Sequence, residues 1–236
     1  MWNSLFGSKA DATAKSPAGT PEGEKRKAGP MRALDQVSAE NYLDVGRAMV
    51  AEFVETVQGR PEDGWQLAKT QDGVTIHRKA TASSDINRLR GQTTINVAPE
   101  KVFEALVDST HLKYVDQLYI SSKVCEQFPF PLYPRDFQCL EVYTKVDDET
   151  WLAIARSVDS GHVPTTEQYV RADLRASGYQ IKAVAGNPDA CVVTYICECD
   201  PCGYLPKWAV NFDVDQPLVL AKIKLLLEKG VKSFNK

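Results

Sequence analysis

The chain has 236 residues, of which 43% are hydrophobic and 25% charged, a composition typical of a globular protein with one large domain. Its 28 basic and 31 acidic residues give a formal net charge of −3, so no global basic field favours nucleic acid as a partner. No apolar run approaches the roughly 20 residues of a membrane span. Six cysteines without a secretory leader indicate reduced thiols, and we expect a soluble cytoplasmic protein.

Residues 1–35 are rich in small and polar residues without periodicity, so they predict a disordered tail ahead of a domain over residues 36–236. The first helix is expected to begin near the N-cap residue Ser38 and to end before Pro61. Its buried face is indicated by apolar residues at three- and four-residue spacing, namely Tyr42, Val45, Met49, Phe53 and Val57.

Strands and helices are then predicted in turn. Asp72-Gly73 is a strong signal for a hairpin turn, and Pro99 suits the first turn of a helix. Residues 111–116 are expected to form another short helix. The three strands before these helices are predicted at 65–70, 74–79 and 89–97.

The rest of the chain is mostly β up to a C-terminal amphipathic segment. Short turns join its strands, so consecutive strands are expected to run antiparallel. Pro217 predicts a kink or break within the C-terminal segment. The fold class is therefore α+β, with about nine strands and a long C-terminal helix. The six later strands are predicted at 119–128, 135–146, 150–158, 168–176, 178–186 and 190–199.

No pattern of catalytic or metal-binding residues is evident in the sequence. The three histidines are not at metal-ligand spacing, and neither a Gly-x-Ser-x-Gly elbow nor a glycine-rich phosphate loop is present. Cys197, Cys199 and Cys202 could bind a metal only with a fourth ligand, so we predict no metal. We therefore expect no enzymatic activity and no cofactor.

The strand that begins at Arg135 places charged groups among apolar ones. Its two faces cannot be assigned by the two-residue period, because each carries both polar and apolar side chains. An inward Arg135 would need a bonded partner, such as a lipid headgroup, whereas an outward one would form an exposed ion pair. One face carries Arg135, Phe137, Cys139, Glu141 and Tyr143, and the other carries Asp136, Gln138, Leu140, Val142 and Thr144.

Several short motifs, in order and at matching separations, give the chain a resemblance to the StAR-related lipid transfer (START) family. They are Pro134-Arg-Asp-Phe137, the run Val170-Arg-Ala, and Asp200-x-x-Gly203-x-x-Pro206 with Trp208 and Asn211. Phe128-Pro-Phe-Pro131 is similar to the Tyr-Pro-Phe-Pro run of the phosphatidylcholine-binding branch, with Phe128 in place of the tyrosine. The resemblance covers roughly residues 40–236.

This resemblance implies a helix-grip fold, in which a curved antiparallel sheet wraps around the C-terminal helix and encloses one lipid. It makes Arg135 the first choice for a polar contact with that lipid. Glu141 stands where a sterol-binding member has a basic group, so a phospholipid is favoured over a sterol. The candidate lipid-binding residues are Arg135, Glu141, Tyr143, Trp151, Tyr195 and Asn211.

The function implied is the carriage of one lipid between membranes, with transient contact with a membrane surface. Trp208, Leu225 and Leu226 are the candidates for that contact, or else for the inner face of the lid. Two alternatives stay open: a lipid-gated interaction module with a protein partner that the sequence does not identify, and a hydrolase or cyclase built on the same fold.

Overall fold

The computed structural model describes residues 33–81, 86–107, 117–125, 134–175, 177–203 and 215–230, with residues 117–125 described by their backbone alone. Of the tail expected at 1–35, residues 1–32 lie outside these ranges, as does the helix expected at 111–116, whereas Asp35 belongs to a short strand.

The first helix, α1 (Tyr42–Val57), has Asn41 rather than Ser38 at its N-cap and so begins three residues later than expected. Ser38 belongs to a turn before the helix, because its amide donates to Asn41 Oδ1 at 2.8 Å and its carbonyl accepts from the Tyr42 amide. Met49, Phe53 and Val57 are buried as predicted. Tyr42 is 37% exposed, since the first turn of the helix extends beyond the surface that it covers.

The strands build one ten-stranded sheet and a separate two-stranded sheet. The main path of the large sheet has the order β2-β3-β4-β11-β10-β7-β6-β5, and every pair along it is antiparallel. Its strands are β2 (Gln66–Gln71), β3 (Val74–Ala80), β4 (Asn87–Ile95), β5 (Gln117–Cys125), β6 (Arg135–Asp147), β7 (Thr150–Asp159), β10 (Ser177–Val184) and β11 (Asn187–Cys197).

The predicted hairpin between β2 and β3 is confirmed. Asp72 and Gly73 have φ angles of 52° and 74°, and two consecutive positive φ values are what a tight two-residue hairpin turn requires. The helix that begins at Pro99, α2 (Pro99–Leu106), is also confirmed.

The prediction of one antiparallel strand at 168–176 is wrong. The chain there forms two short strands, β8 (Val170–Arg171) and β9 (Asp173–Leu174). β8 pairs parallel with the start of β6, while β9 pairs with β12 (Cys199–Asp200) in the small sheet. A further short strand, β1 (Asp35–Gln36), pairs parallel with the end of β7. Such two-residue strands are too short to show a periodic pattern.

Both faces of the large sheet are covered, and this fixes where the functional groups lie. α1 packs on what we call the outer face, with residues such as Leu140, Ile154 and Ile196. α2 and the C-terminal helix α3 (Val219–Glu228) pack on the inner face, where one apolar cluster draws on β3, β4, β6, β7, β10 and β11. The fold is thus a curved antiparallel sheet around a C-terminal helix, as expected.

Pro217 lies in a 3₁₀ turn, Gln216–Leu218, immediately before α3. The α-helix therefore begins after this proline, which agrees with the effect predicted for it. The described part of the C-terminal helix is ten residues long, and residues 204–214 lie outside the described ranges.

Candidate functional site

The inner face of β6 is the one that carries Arg135. Phe137, Cys139 and Tyr143 share the apolar cluster that contains Leu220 and Ile223 of α3. Leu140 and Val142, on the alternate face, pack with α1 instead. The side chains of Phe137, Cys139 and Tyr143 therefore face α3, and those of Leu140 and Val142 face α1. This assigns the two faces of β6, which the two-residue period alone could not do.

A row of tyrosines crosses the inner face near its centre. Strand register aligns Tyr143 with Ala153, Ala153 with Tyr179, and Tyr179 with Tyr195. The rings of Tyr179 and Tyr195 are stacked with centroids 4.8 Å apart. Tyr195 in turn aligns with Gly91 of β4. All four side chains of the row are buried, so phenol groups stand inside an otherwise apolar wall.

Glu141 is the acidic group of this wall, and its side chain is fully buried. Tyr143, two residues further along the same strand face, donates its hydroxyl hydrogen bond to Glu141 Oε2. A buried carboxylate is tolerated only where donors reach it, because desolvation of an unbonded one costs several kcal/mol. Glu141 and Tyr143, which were predicted separately, therefore form one polar unit.

Arg135 lies away from that unit. Its side chain is 1% exposed, and Nε donates to the carbonyl oxygen of Pro201 at 3.0 Å while a terminal nitrogen donates to that of Cys202 at 3.1 Å. Six residues of strand, or about 20 Å, separate Arg135 from Glu141. The two charged candidates are therefore not brought together.

Trp151 lies toward the opposite end of the inner face. It aligns with Ile181 of β10, and Lys145 Nζ is 4.9 Å from the centroid of its ring system. Lys145, the strand partner of Trp151, is ten residues beyond Arg135. The candidate site residues are therefore spread along most of the length of β6.

The aspartate of the Pro134-Arg-Asp-Phe137 motif points the other way and has a structural partner. Asp136 Oδ2 accepts from Nε and a terminal nitrogen of Arg171, at 2.9 and 2.8 Å, and both residues are nearly buried. Arg171 comes from the Val170-Arg-Ala run, so two motifs that are 35 residues apart are joined by one ion pair. This pair holds β8 against β6.

α3 turns one apolar side to the sheet and another to the surface. Leu220, Ile223 and Leu227 are buried against the inner face, whereas Leu225 is 53% exposed. Leu226 is partly exposed. Leu225 therefore cannot line the lid from inside, and the two other candidates, Trp208 and Asn211, lie outside the described residues.

Two residues of this surface were not recognised in the sequence. Tyr179 continues the row of tyrosines, and its alternation with Ile181 along β10 was the available signal. Gly91 is an isolated glycine within a strand, which often marks a close approach of another chain segment. A Cβ atom at this position would lie 2.5 Å from Pro217 Cβ, so the glycine lets the C-terminal segment touch the sheet.

The inner-face cysteine Cys191 does not offer a nucleophile. Burial raises the pKa of its thiol to about 12, so the thiolate is negligible near neutral pH. Among the helices within the described ranges, none has the length and apolar content to cross a bilayer.

Comparison with known proteins gives the family context of this architecture. A family model described as the START domain matches residues 116–219. Mouse and human START domain-containing protein 10 are each 27% identical over 170 residues, which cover 64% of this chain and 56% of those proteins. Mouse acetyl-coenzyme A thioesterase is 28% identical over 173 residues, 64% of this chain and 29% of that protein. The chain thus spans little more than half of the START domain-containing relatives.

The solved structure of human StAR-related lipid transfer protein 5 has the same fold. It superposes with a TM-score of 0.67 at 18% identity, covering 83% of this chain and 98% of that structure.

Proposed function

We propose that residues 36–236, which include the match to the START domain model at 116–219, bind one lipid between the inner face of the sheet and the C-terminal helix and carry it between membranes. The observation that carries the proposal is the make-up of the inner face. It is a broad apolar wall in which Glu141, Tyr143, Tyr179 and Tyr195 are the polar groups near the centre. Such a wall suits a ligand that is mostly hydrocarbon with a few polar atoms.

The driving force is the removal of acyl or ring surface from water, which contributes about 25 cal/mol per Å². No bond is made or broken, and we propose no catalytic role for the chain. Phospholipid is the first lipid to test, because of the similarity of 128–131 to the phosphatidylcholine-binding branch, with sterols and other lipids as alternatives. The proposed place of action is the cytoplasm, with peripheral contact at membranes.

The test is whether the protein extracts lipid from vesicles that contain phosphatidylcholine, cholesterol and diacylglycerol, with native mass spectrometry identifying what is carried. We expect the wild type to leave the vesicles with one lipid bound. Ala153→Phe places a ring between Tyr143 and Tyr179 and should lower loading by about tenfold or more, because the ring would take up space that the lipid is proposed to occupy.

Ala68→Phe is the matched control, because Ala68 is exposed on β2 and the added ring meets solvent. Its loading should equal that of the wild type. Absence of any lipid on the wild type, or unchanged loading by a folded Ala153→Phe protein, would contradict the proposal. A lipid-gated interaction module would instead bind lipid at equilibrium without moving it between vesicles.

A further inference from the structure

The turn that follows β12 has an unusual backbone. Cys202 and Gly203 have φ angles of 50° and 65°, so two consecutive residues are in the left-handed region, and one of them is not a glycine. The Cys202 amide is fixed by Asp200 Oδ1 at 2.9 Å. A non-glycine residue in this conformation is strained, and it persists where its surroundings hold it.

Arg135 helps to fix the backbone of this turn through hydrogen bonds. Its two donors reach the carbonyl oxygens of Pro201 and Cys202, at 3.0 and 3.1 Å, on the two residues that lead into Gly203. Hydrogen bonds from a guanidinium are stronger than neutral ones, and the fork of donors fixes orientation as well as distance.

Gly203, the last described residue of the turn, packs against β8 and Arg135. A Cβ atom there would lie 2.9 Å from Val170 Cγ1 and 3.8 Å from a terminal nitrogen of Arg135, so the turn is packed directly on both residues. Val170 is itself the parallel partner of Arg135 in the β6–β8 pair. Arg135 and Val170 therefore connect three elements, namely the start of β6, the parallel strand β8 and the turn at 200–203.

We infer that Arg135 is a positioning residue, which anchors the 200–203 turn, the last described point of the chain before the segment that contains α3, rather than a group that recognises the lipid headgroup. The inference rests on the proposed lipid binding for its consequence, because the lipid is proposed to lie between the inner face and α3. It gives the arginine of the motif a role that does not depend on the chemistry of the lipid.

The test compares Arg135→Leu and Arg135→Lys with Arg90→Leu. Arg90 is a matched control, because it is also nearly buried and donates to a backbone carbonyl, that of Val57 at 3.1 Å, but on the outer face. Two measurements are made on each protein: amide hydrogen exchange at 202–203 and 219–228, and equilibrium loading from vesicles with either phosphatidylcholine or diacylglycerol, which has no phosphate.

A positioning role predicts that Arg135→Leu speeds exchange in both segments about tenfold or more, with a smaller effect for Arg135→Lys. Loading of the two lipids should fall in the same proportion, and Arg90→Leu should leave exchange at 202–203 unchanged. Cys202→Gly, which removes the backbone strain, should restore part of the protection in the double variant Arg135→Leu/Cys202→Gly.

The inference is overturned if exchange is unchanged in Arg135→Leu, or if only phosphatidylcholine loading falls. If Arg135→Leu does not fold, Arg135→Lys decides between the same outcomes. A wild type that loads neither lipid would contradict the proposed function, whereas the exchange measurement would still decide the role of Arg135.

Discussion

At the scale of single residues, the buried charges of this protein are held in two ways. On the outer face Arg171 pairs with Asp136, and Glu198 lies between Arg88 at 2.6 Å and Arg175 at 2.8 Å, whereas Arg90 donates to the Val57 carbonyl. On the inner face Glu141 takes a hydrogen bond from a tyrosine, and Arg135 donates to carbonyl oxygens. Removal of one member of a buried ion pair costs about 3–5 kcal/mol, so the outer-face pairs maintain the fold.

His77 makes the stability of the sheet depend on pH. It lies opposite Arg90 on the outer face, beside the Lys79–Arg88 pair, and burial followed by the charge of Arg90 lowers its pKa from the ordinary value of 6.5. The unfolded chain therefore takes up a proton that the folded chain refuses, and stability present above pH 6.5 is lost as the pH falls below it.

We expect His77→Gln to flatten the decline of unfolding free energy between pH 7.5 and pH 5, measured by urea denaturation. His162→Gln, at an exposed histidine, is the control and should keep the slope of the wild type. Identical slopes for His77→Gln and the wild type would show that His77 does not contribute.

At the scale of elements, α3 and the turn before it are held on the sheet by a close packing contact at Gly91 and by hydrogen bonds to β4 and the residue after it. Gly91 leaves room for Pro217 and Leu220, and Lys224 Nζ donates to the Thr94 carbonyl at 2.8 Å. Glu228 accepts from the Asn96 amide at 2.9 Å. The absence of a side chain at Gly91 therefore allows the C-terminal segment to lie close to the sheet.

Gly91→Ala should lift this segment from the sheet, because the new methyl group would lie 2.5 Å from Pro217 Cβ and 3.3 Å from Leu220 Cδ1. Overpacking of this kind costs about 1–3 kcal/mol. We expect that loss in urea unfolding, together with faster amide exchange at 219–228.

The compensating variant is Gly91→Ala/Pro217→Gly, in which the opposing Cβ is removed. The stability lost through Gly91→Ala should be smaller in the Pro217→Gly background than in the wild type. If Gly91→Ala is as stable as the wild type, the position of α3 on the sheet does not depend on the close contact at Gly91.

Most helices and strands could be predicted from the sequence. The features that could not be predicted depend on contacts between residues that are far apart along the chain. The hairpin at Asp72-Gly73 and the break at Pro217 depend on local backbone chemistry, so the residues themselves predict them. The inward face of β6 could not be predicted, because helices cover both sides and Leu140 is as buried as Phe137. The contacts of Arg135 with Pro201 and Cys202 are 66 and 67 residues away along the chain, beyond any local pattern.

At the scale of the whole molecule, the exposed side of α3 is a candidate for contact with a bilayer among the described residues, and the proposed lipid carriage would need such a contact. Leu225 is 53% exposed between the exposed lysines Lys222 and Lys229. An apolar side chain flanked by cations is favoured at a membrane surface that carries anionic lipid, where each lysine contributes about 1 kcal/mol.

Leu225→Glu should therefore slow the transfer of a fluorescent phospholipid between anionic vesicles by about tenfold, because insertion of a leucine contributes about 1.5–3 kcal/mol. Equilibrium loading and stability should be unchanged, since the side chain faces solvent. Leu67→Glu, at a leucine that is 64% exposed on β2, is the matched control and should transfer at the rate of the wild type. Equal transfer rates for the two variants would rule out Leu225 as a membrane contact.

The attachment of β1 determines where residues 35–37 lie. Arg156 binds Asp35 at 2.8 Å, and Val37 joins the apolar cluster under α1. Residues 35–37 are therefore held at the end of β7, with Val37 on the face of the sheet away from α3. Under the proposed function, this short segment lies across the sheet from the helix that would cover the lipid.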